Sequence, residues 1–163
     1  MLKSVFQGLF RAEVDNKWSM VLPVKQKLYD LAAYVYRAFY GEVEIVTDNK
    51  TLTVADSGKT FLIGTDAKAF TLPAVADAPN CKYTFVNIGA NGNNIITISP
   101  NASDAIYGTM TLAAADTVFA ATDNKDLINT KATAKKGDSV TIVSDSADGW
   151  VITAITGVWA KES

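Results

Sequence analysis

The sequence contains no histidine and a single cysteine, Cys81. Without histidine, no side chain has an ordinary pKa near neutrality, so general acid–base chemistry would fall to carboxylates, lysine or tyrosine. One thiol forms no internal disulfide, and no zinc-ligand spacing exists. Cys81 follows Pro79 and Asn80 at an expected strand start, where a small half-buried residue is the plain expectation. Long apolar runs are also lacking, and nothing approaches the roughly 18 uninterrupted apolar residues of a membrane span. The opening MLKSVFQGLF faintly resembles a secretion signal, but no extended apolar core or small-residue cleavage site follows it, so neither export nor a membrane span is expected. Basic residues are absent between Lys82 and Lys125.

What is present is a chain of 163 residues, 48% hydrophobic, with a formal net charge of -2. That is enough apolar material to bury the core of one domain with an appendage. The charge is unevenly placed. Residues 1–41 carry six Lys/Arg against three Asp/Glu, whereas residues 42–163 carry nine against fourteen, so a leader of +3 precedes a body of -5. Such asymmetry points to an arm that meets a different surface from the body's. The body is acidic on balance where a phosphate backbone would demand an excess of Lys or Arg, so nucleic acid is not an expected partner.

Leu2, Val5, Phe6, Leu9 and Phe10 recur at helical spacing and form one stripe, with Lys3, Ser4, Gln7 and Arg11 on the other side. Asp15, Asn16 and Lys17 interrupt the pattern before Trp18. A second helix is expected from Pro23, whose fixed φ suits a first turn, to Gly41. Leu28, Leu31, Ala32, Val35 and Phe39 make one of its faces, and Tyr29, Tyr36 and Tyr40 cover much of the rest. A helix of about a dozen residues is marginal alone in water, and each large side chain gains roughly 1.5–3 kcal/mol on full burial. The stripes therefore need a partner surface: this protein's own body, other protein subunits, or less readily a lipid surface, for which so few cations are a weak anchor. Protein contact is the expectation. The expected partner-binding side chains are Leu2, Val5, Phe6, Leu9, Phe10, Trp18, Leu28, Leu31, Tyr34, Val35 and Phe39.

From Glu42 onward the periodicity changes to alternation. Strands are predicted over 43–47, 51–54, 60–63, 70–72, 82–88, 94–99, 105–107, 109–112, 118–120, 139–143 and 150–155. Asp48-Asn49-Lys50 reads as the turn of a hairpin joining the first two, and 89–93 and 145–149 read as further turns. No helical pattern recurs after Gly41. The expected fold is mainly β, an antiparallel β-sandwich or jelly-roll-like body over 42–163 behind an N-terminal helical arm over 1–41. Exposed edges of short strands would be covered in a trimer, and Ala113-Ala114-Ala115 and Ala120-Ala121 permit close packing.

Candidate chemistry is sparse. Asp145 and Asp148 flank a glycine-bearing turn, where Asp serves turn geometry, and Asp123, Asp126 and Asp138 lack calcium-loop spacing. Asp56-Ser57-Gly58-Lys59-Thr60 mimics the end of a phosphate-binding loop, but Thr53 stands where its leading glycine belongs and a strand, not a helix, follows. A Ser57/Lys59 nucleophile pair has nothing to orient it. The sequons at Asn49 and Asn101 matter only in a secreted eukaryotic protein. No enzymatic activity, cofactor or metal is expected.

One succession of phrases stands out. Val54-Ala55-Asp56-Ser57-Gly58-Lys59-Thr60-Phe61 leads to Phe70-Thr71-Leu72-Pro73-Ala74, then Tyr83-Thr84-Phe85-Val86-Asn87, Ile95-Ile96-Thr97-Ile98-Ser99-Pro100 and Asp104-Ala105-Ile106-Tyr107-Gly108. It closes with Gly137-Asp138-Ser139-Val140-Thr141-Ile142-Val143-Ser144, Gly149-Trp150-Val151-Ile152 and Gly157-Val158-Trp159, with Trp150 placed to cap the sandwich. Over about residues 51–160 this order resembles a β-domain of tailed-bacteriophage virion surfaces, occurring in capsid decoration proteins, head fibres and some tail-fibre pieces. The resemblance implies a compact homotrimer exposed on a virion. The arm lies outside it and is expected to dock on the major capsid protein or another virion protein. A chain made soluble in the host cytoplasm and then assembled onto a capsid is the corresponding expectation. The alternative is an adhesion module whose outer loops grip a host-surface glycan.

Overall fold

A computed structural model describes residues 28–33, 35, 41–112, 115–119 and 122–162, of which 109–112 and 115–119 are described by their backbone. The chain divides into two compact units, Met1–Tyr40 and Gly41–Ser163. In the first, residues 28–33 and 35 are helical. No helix among the described residues is long and apolar enough to cross a membrane.

The second unit is mainly β, as alternation predicts. Its strands are β1 (Glu42–Val46), β2 (Lys50–Thr51), β3 (Lys59–Ile63), β4 (Lys68–Thr71), β5 (Lys82–Asn87), β6 (Ile96–Ser99), β7 (Ala105–Leu112), β8 (Ala115–Phe119), β9 (Leu127–Asn129), β10 (Ser139–Ser144), β11 (Gly149–Thr156) and β12 (Ala160–Lys161). They form a seven-stranded sheet in the order β1-β3-β5-β10-β11-β7-β8 and a five-stranded sheet in the order β12-β9-β6-β4-β2.

The strand sense departs from the antiparallel expectation, because both sheets are mixed. β1, β3 and β5 pair in parallel in the larger sheet, while β2, β4 and β6 pair in parallel in the smaller. Odd and even strands thus alternate between layers, and β1-β2, β3-β4 and β5-β6 are three successive turns of a flattened coil. Antiparallel pairing appears only afterwards, where β10 folds back on β5 and β9 on β6. The predicted hairpin of the first two strands is overturned for the same reason. Asp48 and Asn49 turn the chain from one layer to the other, and Asn49 Oδ1 accepts the Ala69 N–H of the next turn at 3.0 Å. The segments 105–107 and 109–112 are one strand, not two. Gly108 continues it at φ +148, and a Cβ there would lie 2.7 Å from Ile152 Cβ.

The core lies between the layers. Phe61, Phe70 and Phe85, one from the smaller sheet between two from the larger, place their ring centroids 5.0 to 5.7 Å apart. Trp150 is fully buried against Tyr83, its ring centroid 5.4 Å away, so it belongs to the core and does not cap the sandwich. Cys81 is likewise fully buried, more than a half-buried residue. Beyond the aromatics the interior turns polar. Asn87 Nδ2 donates to Asn129 Oδ1 at 2.8 Å, and Asn129 Nδ2 donates to Asp138 Oδ2 at 2.8 Å, all three residues buried. Such a relay costs little only while each member keeps its partners.

Candidate functional site

Two features of the β unit are built from its sequence alternation: a charged end and a largely uncharged face. At the end, β1 places Glu44 opposite Phe61, and β2 places Lys50 opposite Phe70. The inward positions that hold phenylalanine in the second turn of the coil therefore hold an acid and a base in the first. Lys50 Nζ is bonded to Glu44 Oε1 and stands 5.2 Å from the Phe61 ring centroid, a cation over an aromatic face. Lys59 Nζ joins them, 2.8 Å from Asp56 Oδ1, 3.1 Å from Glu44 Oε2 and 3.9 Å from Glu42 Oε2. Asp56 is further held by the N–H and hydroxyl of Thr53, each 3.0 Å from Oδ2.

The electrostatics follow from this packing. The Lys50 bond, with Lys59 beside it, holds the Glu44 carboxyl below its usual range. Burial pushes Asp56 upward, but hydrogen bonds from Lys59 and Thr53 outweigh it and leave the carboxyl lowered. Asp56, with Glu44, raises the Lys59 ammonium. A lysine held charged in this way is no base for Ser57, whose Oγ accepts the Lys82 N–H at 3.1 Å. The segment that mimics a phosphate loop is a structural corner leading into a strand. Asp145 likewise serves its turn, accepting the N–H groups of Ala147, Asp148 and Gly149 at 2.9 to 3.0 Å.

Among the described residues, the cluster stands on the edge strands of both sheets, β1 and β2. A coil whose last turn exposed phenylalanine and an unpaired edge would invite another chain to add on, and inward-pointing charges block that addition. Sequence reasoning missed the cluster, because Glu42 and Glu44 alternating with Val43 and Ile45 look like the polar positions of a solvated face.

The face is the outer surface of the larger sheet. Val43, Thr60, Thr84 and Thr141 form one cross-strand row, and Ile45, Leu62, Val86 and Ser139 the next. Thr84 and Thr141 bond to each other through their hydroxyls at 3.0 Å. Val43 and Ile45, at 65% and 70%, are the most exposed large apolar side chains described. The corresponding face of the smaller sheet presents Thr51, Ala69, Thr71, Thr97 and Ser99, with Ile128 its one large aliphatic residue. The two faces differ in size and apolarity, and the larger one also carries Lys82, exposed at the start of β5.

Of the expected partner-binding residues, Leu2, Val5, Phe6, Leu9, Phe10, Trp18, Tyr34 and Phe39 lie outside the described residues. Leu28 is half-buried, while Leu31 and Val35 are exposed on the helix with Tyr29.

No family model fits the chain, and no curated protein is significantly similar to it.

Proposed function

We propose that this protein is a structural component of a tailed-phage virion, a capsid decoration or cement protein. In this reading its N-terminal unit binds the major capsid lattice and its β unit stands on the shell as a homotrimer. The observation that carries it is the helix of the N-terminal unit, which leaves Leu31 57% exposed and Tyr29 and Val35 also open to solvent. Large apolar side chains held outward on a helix gain nothing until a partner covers them, and a protein lattice supplies that cover. The phrase order over about residues 51–160 adds the virion context. The polar groups singled out in the β unit are engaged in turns, corners and the charged end, which suits a scaffold.

The alternative, a glycan-binding fibre module, relies on aromatic rings offered to sugar. Phe61, Phe70, Tyr83, Phe85, Trp150 and Trp159 are all buried, which counts against it. The test is electron cryo-microscopy of particles from a tailed phage that encodes the chain. Density for the β unit on the shell exterior, tethered at its N-terminal side, is the expected result. Density only at a fibre tip, together with binding on a glycan array, would replace this function with the alternative.

A further inference from the structure

We propose that Asn91 is a covalent modification site, a side chain that deamidates only when its turn lets go of the loop over residues 130–138. Asn91-Gly92 is the only asparagine–glycine pair in the sequence. The pair lies exposed in the middle of a turn that the Asn93 N–H closes on the Ala90 carbonyl at 3.1 Å, with Gly92 at φ +70. Glycine takes that φ without strain, so the turn itself sets the least hindered backbone nitrogen beside an asparagine side chain. In the reaction the Gly92 nitrogen gives up its proton and bonds to Asn91 Cγ, and the side-chain amide leaves as ammonia. Water then opens the five-membered ring at either carbonyl, to an aspartate or to an isoaspartyl link.

Two bonds cross from this turn to the neighbouring loop. The Lys136 N–H donates to Asn91 Oδ1 at 3.0 Å, which polarises the side-chain carbonyl. The Gly92 N–H donates to the Ala134 carbonyl at 2.7 Å, which keeps the proton on the nucleophile and fixes the plane of its peptide group. The second bond decides, because without a free nitrogen there is no attack. The receiving loop is pinned in turn. The Ala134 N–H donates to the Thr130 carbonyl at 2.8 Å, the Lys135 N–H to Asp138 Oδ2 at 2.9 Å and the Gly137 N–H to the Asn87 carbonyl at 2.8 Å. Asp138 and Asn87 are the two ends of the buried relay through Asn129, and Asn87 Oδ1 also accepts the Gly89 N–H at 2.9 Å. The relay therefore holds the clasp from behind, and modification of Asn91 records each opening of this end of the unit. The two products differ. An aspartate still accepts the Lys136 N–H, on a loop where Lys135 and Lys136 are exposed. An isoaspartyl link lengthens the main chain by one carbon before Gly92 and breaks the clasp permanently.

The experiment incubates the full chain at mildly alkaline pH, folded and in denaturant, and follows Asn91 by peptide mass spectrometry, with hydrogen exchange of the Gly92 amide measured on the folded chain. Asn91 is expected to deamidate in denaturant and at least about tenfold more slowly in the folded chain. The slowing should match the protection of the Gly92 N–H against exchange, because both need the same opening. Asn129→Ala, shown to be folded by circular dichroism, is expected to lower the protection and raise the deamidation together, several-fold. An Asn91 that is inert in denaturant overturns the site. Equal rates in folded and denatured chains overturn the clasp, as does a folded Asn129→Ala that leaves both readouts where wild type has them.

Discussion

Glu44 stands opposite Phe61 in the parallel ladder of β1 and β3, on an inward row that continues through Phe85, Val140 and Ile155. The row is apolar from its second member onward, and its first member is an acid bonded to Lys50. Alternation usually turns charge to water and aliphatic groups to the core. At β1 the order is reversed: among the described residues the strand is the edge of the larger sheet, and charge on an edge opposes the addition of a further strand.

Replacing the pair tests that role. In Glu44→Ile/Lys50→Met the row continues apolar to its end, and concentration-dependent assemblies larger than the wild-type species should appear in light scattering. The partly exposed pair itself contributes only about 1 kcal/mol or less, so the melting temperature should change little. A variant with the size distribution of wild type would show that the charges do not guard the edge.

Acid should destabilise the fold through the same cluster. Glu44 and Asp56 are lowered from ordinary values of 4.5 and 3.8, so the unfolded chain binds more protons than the folded one in this range. Their contribution is fully present above those values and is lost as pH falls through the lowered folded ones. Asp66 and Asp145 act in the same direction, and Asp126, which burial raises, acts in the opposite one. Melting temperatures should be level from pH 7 to about 5 and fall below about 4.5, with a shallower fall in Glu44→Gln/Asp56→Asn. Parallel curves for wild type and variant would remove the cluster from the cause.

Asn129 links Asn87 to Asp138, and Asn129→Ala leaves both buried partners short of a bond. A loss of about 2–4 kcal/mol in denaturant unfolding is expected, since stranded buried groups bear the full desolvation penalty. A loss under about 1 kcal/mol would mean that the relay is replaced by water. The neighbouring Gly157 is constrained by the same group, because a Cβ there would lie 2.0 Å from Asp138 Oδ1.

Phe85 lies against both other rings of the aromatic stack, and Phe85→Ala should cost about 3–5 kcal/mol. Chemical denaturation reads it directly. A cost near that of a surface substitution would place the core elsewhere.

Much of the β unit was legible in the sequence, and the failures have physical causes. KTFLI, KYTFVN and SVTIVS alternate buried and less buried positions, and their strands fall within a residue or two of prediction. β9 was invisible because LIN is three residues long in a polar stretch and one of its two buried side chains is Asn129. Pairing sense was unreadable for a different reason. A period of two shows that a strand has two faces, but which neighbour it takes depends on corners that carry the chain between layers. Asp48-Asn49 looks the same as a hairpin turn or as such a corner. The charged end was hidden because Glu42 and Glu44 follow the pattern of a solvated face while occupying inward positions. Helical spacing places Leu28, Leu31 and Val35 on one stripe; in the structure Leu28 is half-buried and Leu31 and Val35 are exposed.

The most direct test is occupancy of empty heads from a tailed phage that encodes the chain, measured by co-sedimentation with full-length protein and with a chain lacking residues 2–22. Circular dichroism should first show the same β content in both. Full-length protein should saturate the shells, and the shortened chain should stay in the supernatant. Equal occupancy by the two would contradict anchoring through the apolar leader.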